Sequence, residues 1–95
     1  MKKDKFYTVV FEYNGGTYIA QVLAESPRSA LPNWLSNRLD EETANWGITR
    51  GELAAIIEAA EPIVMDGCRG VWCLSGSAKR GLALFNIIAT DVSSR

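Results

Sequence analysis

The sequence predicts an α+β domain, ββααββ in order, with a four-stranded antiparallel sheet and two helices packed on one of its faces. Three observations predict it. Pairs of β-rich runs separated by turn residues open and close the chain, at residues 6–13 and 17–24 and again at 71–74 and 82–90. Between the pairs, two stretches repeat apolar residues at helical spacing. Finally, 95 residues with 47% hydrophobic content and a formal net charge of -1 suit one folded domain, residues 1–95, rather than a disordered or multidomain chain.

Residues 6–13 read Phe-Tyr-Thr-Val-Val-Phe-Glu-Tyr, the aromatic and β-branched side chains that suit a pleated strand. Tyr7, Val9, Phe11 and Tyr13 share one face; Phe6, Thr8, Val10 and Glu12 share the other. Asn14-Gly15 then signals a type I′ hairpin, because both central residues of that turn need positive φ. Gly16 leaves open a longer turn with a bulge. Ser26 is a good N-cap and Pro27 suits a first helical position. Ala30, Leu31, Trp34, Leu35 and Leu39 form an apolar stripe, so the helix is expected to reach about Leu39. Pro32 lies inside it, lacks an N–H, and predicts a kink or a restart.

Residues 40–47 read as a linker or solvated helix end, with Trp46 folding back onto the core. Thr49 and Glu52 match a capping box, and Leu53, Ile56, Ile57 and Ala60 mark the inner face of the second helix. Pro62 closes it, and residues 63–65 are a short apolar run. The last hairpin pairs residues 71–74 with 82–90 across a small polar loop, residues 75–81. The run 82–90 is the longest apolar strand candidate and is expected near the sheet centre beside the first strand. That gives the order 2-1-4-3, which needs no crossed connections. Residues 1–5 and 92–95 are expected to fray.

The chain has no histidine, which removes Ser-His-Asp and Cys-His catalysis and the commonest metal ligand together. Cys68 and Cys73 form neither a Cys-x-x-Cys redox motif nor paired zinc ligands. Residues 75–81, Ser-Gly-Ser-Ala-Lys-Arg-Gly, have the small residues and cations of an anion loop. They lack the Lys that follows the second Gly in a phosphate loop, and a strand comes next rather than a helix. No cofactor and no metal are expected, and no enzyme activity. The short lysine-rich start lacks an apolar signal core and no run reaches membrane-spanning length, so a soluble cytoplasmic protein is expected.

Two helices cover one face of a sheet, and the other face should be polar. Here both faces of the outer and central strands carry apolar residues. The expectation is a protein-binding or regulatory module working through a sheet face or edge, against another protein or against itself as a homodimer. Its contact residues are expected among Tyr7, Phe11, Trp72, Leu74, Phe85 and Ile87. The alternative is an RNA- or DNA-binding domain in which Arg69, Lys79 and Arg80, with Lys2, Lys3 and Lys5, cluster at one end of the sheet. Tyr7, Tyr13 and Tyr18 would then stack on bases. The opening hairpin followed by a helix resembles the start of HicB-type antitoxin domains. That likeness spans about a quarter of the chain, rests on generic strand residues, and implies nothing for activity or site residues.

Overall fold

Two hairpins build the sheet, and they meet along its two most apolar strands. The computed structural model describes residues 4–90. Among these the elements are β1 (Lys5–Tyr13), β2 (Gly16–Ala24), α1 (Pro27–Ser36), α2 (Asp40–Trp46), α3 (Arg50–Ala59), β3 (Ile63–Val64), β4 (Val71–Ala78) and β5 (Gly81–Thr90). All strand pairs are antiparallel, in the order β2-β1-β5-β4-β3. The four expected strands take the expected order, and the 63–65 run adds a fifth, two-residue strand beside β4. Residues 1–3 and 92–95, expected to fray, lie outside the described residues; Lys5 is already paired with Ala24.

The first turn is the two-residue type, closed by the Tyr13–Gly16 pair, with Asn14 at φ 51 and Gly15 at φ 82. No bulge is needed. The last hairpin is longer than its sequence suggests. Ala78 pairs with Gly81, so only Lys79 and Arg80 turn, and Ser75, Gly76 and Ser77 are strand residues rather than loop. Position 76 needs a glycine because α3 presses on this strand: a Cβ there would lie 2.7 Å from Ile56 Cγ2.

Helix α1 keeps Pro32 without a break, since Pro32 lies on the exposed side and the missing hydrogen bond faces solvent. It stops at Ser36, short of Leu39. Asn37 leaves the helix at φ -92, ψ 1, and an Arg50 guanidinium nitrogen donates to the Leu35 carbonyl at 3.1 Å, serving a C-terminal acceptor. The acidic run 40–42 is a helix start rather than a linker. Asp40, Glu41 and Glu42 occupy the first turn of α2, where the amide dipole favours negative charge, and Glu42 accepts from the Leu39 N–H at 3.1 Å. Gly47 ends α2 in the left-handed region at φ 87.

The Thr49–Glu52 capping box forms as expected. Glu52 Oε1 accepts from the Thr49 N–H at 2.9 Å, and Thr49 Oγ1 accepts from the Glu52 N–H at 3.0 Å. The Thr49 backbone bond, with smaller help from the Thr49 hydroxyl and Lys79, holds the Glu52 carboxyl below its ordinary value of 4.5. A depressed folded-state pKa contributes stability above the unfolded value and loses it as pH falls through the folded one. Glu52→Gln is therefore expected to be less stable than wild type at pH 7. The gap should close on acidification below the ordinary glutamate range, as followed by urea midpoints across pH.

One face of the sheet carries the core. Tyr7, Val9, Phe11 and Tyr13 of β1, Val22 and Ala24 of β2, Leu74 of β4, and Ala83, Phe85 and Ile87 of β5 are buried against the helices. Phe11 stands at the centre, with ring centroids of Phe85 at 4.7 Å and of Trp34 and Trp46 at 5.5 Å each. Trp46 does fold back, stacking on Tyr18 at 4.4 Å. Tyr13 sends its hydroxyl to the far hairpin, where it accepts from the Arg80 N–H at 2.7 Å. Tyr13→Phe keeps the ring and removes this bond. It is expected to cost about 0.5–1.5 kcal/mol, a drop of several degrees in melting temperature.

Candidate functional site

Strand alternation sends every second residue to the side away from the helices, and among the described residues no element covers that side. The Cα register aligns these residues in rows. Ile19, Val10, Asn86, Cys73 and Ile63 form one row across all five strands. Gln21, Thr8, Ile88 and Val71 form the next, and Thr17, Glu12, Leu84 and Ser75 a third. Phe6, Val10, Val71, Leu84 and Ile88 are half-buried by their neighbours within the sheet, whereas Ile19 (66%), Ile63 (68%) and Leu82 (60%) stand exposed toward its margins. A polar seam crosses the face: Gln21 Nε2 donates to Thr8 Oγ1 at 3.3 Å, and the Thr8 and Thr90 hydroxyls share a hydrogen bond of 2.6 Å. Glu12 is exposed on this face, not buried among apolar neighbours.

The expected contact residues lie elsewhere. Tyr7, Phe11, Leu74, Phe85 and Ile87 are all on the helix-covered face at 0–3% exposure, and Trp72 is half-buried there with its ring edge-on to Tyr7. The five buried residues cannot meet a partner while the helices are in place, whereas Trp72 keeps part of its surface exposed. The outward residues of the same strands are Phe6, Val10, Leu84, Ile88 and Val71. A signal for this was present in the sequence. Thr8, Glu12, Thr17, Gln21, Ser75, Ser77 and Asn86 all fall on one side by the two-residue period, and polar side chains mark the face that meets water.

Arg69 does not gather with Lys79 and Arg80, and Lys2 and Lys3 lie outside the described residues. Lys79 and Arg80 sit at the turn after β4, while Arg69 precedes its first residue, so the eight-residue strand holds them roughly 25 Å apart. The Arg80 stem lies over Gly47, at whose position a Cβ would come within 3.1 Å of Arg80 Cδ, and Lys79 faces Glu52. Tyr7 and Tyr13 are buried and Tyr18 is stacked on Trp46, so none offers a free ring to a base.

Cys68 is exposed in the loop before β4, and Cys73 is half-buried on the open face rather than in the core. Among the described residues no group of three or more His, Cys, Asp or Glu is placed to hold a metal ion, and no helix is long and apolar enough to cross a membrane. A groove of about 370 Å³ between α1, the end of α3 and β4 is lined by Arg28, Pro32, Ile57, Glu61 and Leu74. On its rim Arg28 pairs with Glu61 at 3.1 Å on the surface. The open sheet face is thus the feature that the fold leaves without a structural role. Compared with protein-family models, with curated proteins and with solved structures, the chain matches none.

Proposed function

We propose that the protein is a non-catalytic protein-binding module whose open sheet face takes the apolar surface of another protein. The observation that carries this reading is the apolar content of that face: Val10, Leu84, Ile88 and Val71 lie on it in three successive rows, Ile88 directly beside Val71, and among the described residues no helix lies over them. Four full strands at about 4.8 Å spacing and about 3.3 Å rise give a footprint of roughly 500 Å². The apolar residues on it form an uncovered patch of the kind that marks an interaction site. The footprint is at the low end for a stable complex, and its mixture of aliphatic residues with Thr8, Gln21, Glu12 and Asn86 has the composition of a reversible interface. The complementary partner is flat and apolar, with a cation opposite Glu12, the charged side chain in the central rows.

The test compares wild type with Val10→Lys and Ile88→Lys, which place charge on the face without touching the helix-covered core. Tagged proteins are used to capture partners from a nuclease-treated lysate, and fluorescence of an apolar dye is read in parallel. Wild type is expected to bind the dye and retain a stoichiometric partner, and both variants to lose both while keeping their circular dichroism. Unchanged capture by the variants would remove the face from the function.

A further inference from the structure

The sheet has two edges, and they differ. The edge formed by β3 is two residues long, whereas β2 presents nine residues in unbroken register. Paired residues in an antiparallel ladder alternate between hydrogen-bonded and non-bonded positions, counted here from the bonded Tyr13–Gly16 pair that closes the turn. The N–H and C=O groups of Thr17, Ile19, Gln21 and Leu23 therefore point away from β1. The Leu23 carbonyl bears this out, accepting from Asn33 Nδ2 at 3.0 Å. Among the described residues, Thr17, Ile19 and Gln21 have no such partner for their outward groups.

Long edges in stable proteins are shielded by charged side chains, proline, bulges or shortness. β2 has none of these. It reads Gly-Thr-Tyr-Ile-Ala-Gln-Val-Leu-Ala, without a charge or a proline, and Ile19 at its midpoint is 66% exposed. We infer that β2 pairs antiparallel with β2 of a second copy, about a two-fold axis at Ile19. This rests on the backbone of the edge and stands apart from the role proposed for the sheet face.

The register follows from the free groups. Centring on Ile19 sets Ile19 opposite Ile19 and Thr17 opposite Gln21, so every outward group of these residues is used, each pair exchanging two hydrogen bonds. Shifting the centre toward Leu23 would require the carbonyl that Asn33 already occupies. Shifting it the other way would bring in Gly15 of the turn, at φ 82. The strand carries no charge, so self-pairing opposes no like charges. The assembly also closes: the two-fold contact consumes the long edge of both copies, and β3 is too short to extend the sheet further, so a dimer forms rather than a fibre. Both open faces end on the same side of one continuous sheet.

The experiment introduces one cysteine at a time and applies mild oxidation, with wild type as control for Cys68 and Cys73. Opposed bonded residues lie about 5.5 Å apart between Cα atoms, within disulfide reach. Ile19→Cys is expected to convert to a covalent dimer. Thr17→Cys is expected not to, and the double variant Thr17→Cys/Gln21→Cys to link again. By light scattering wild type should have twice the chain mass, and Ile19→Lys the single mass with unchanged circular dichroism. A monomeric wild type would overturn the inference. So would equal linking of Thr17→Cys and Ile19→Cys, or a wild-type cross-link through Cys73, which would mean that copies meet through the open face.

Discussion

Phe11→Ala is expected to cost about 3–5 kcal/mol. A domain of this size is typically stable by about 5–14 kcal/mol, so the variant should be partly unfolded at modest urea concentrations or at raised temperature. The reason lies in where β1 runs. Phe11 is fully buried, paired with Phe85 across the strands, and touched from the helix side by Trp34 and Trp46. Deleting it removes apolar area and leaves a cavity that rigid indole rings cannot close. Phe6→Ala, on the same strand but on the open face, is the paired control. Phe6 is half-buried, and its loss should be well under half as large. Urea midpoints of the two variants decide which face of β1 is the core; equal losses would contradict the assignment of faces.

Gly76→Ala is expected to cost about 1–3 kcal/mol, although alanine is an ordinary strand residue. The new methyl would meet Ile56 Cγ2 at 2.7 Å and Cγ1 at 3.1 Å, so either α3 moves off β4 or Ile56 leaves its packed position. Ile56→Ala alone should also destabilise, by opening space between helix and strand. In the double variant the two faults offset each other, because the space vacated at 56 accepts the methyl at 76. The coupling should be favourable by about 0.5–3 kcal/mol, measured from urea unfolding of the four proteins in a double-mutant cycle. Strictly additive losses would mean that Gly76 is required for a reason other than the approach of α3.

The reach of sequence reasoning is visible in particular residues. The Asn14-Gly15 turn, the Ser26-Pro27 helix start and the Thr49–Glu52 box were each legible, because each is a local device whose partners lie within three or four positions. Trp46 was correctly expected on the core. Helix α2 was not expected, because its acidic first turn reads equally well as a solvated linker. The Ser75–Ser77 stretch read as a loop since small polar residues are turn formers in isolation. Their strand state depends on pairing with Leu82, Ala83 and Leu84, and the glycine at 76 on Ile56 above it.

The candidate site divides in the same way. That apolar residues would remain on the sheet face away from the helices followed from strand residues of both parities being apolar while two helices could cover one side only. Which residues lie on it did not follow from apolar content, since Phe11 and Phe6 are equally good strand residues. The period-two run of Thr8, Glu12, Thr17 and Gln21 was the usable signal, and it is weak because each strand contributes only two of them.

By itself, then, the sequence determined the class, the order of the long strands and the absence of histidine-based chemistry, all of which depend on composition, local periodicity and short turns. The tertiary structure alone decided the fifth strand, the length of the last hairpin, the covered face and the separation of Arg69 from Lys79 and Arg80. These depend on contacts between residues far apart in the chain, where the packing of Phe11, Trp34 and Phe85 outweighs the propensity of any single segment.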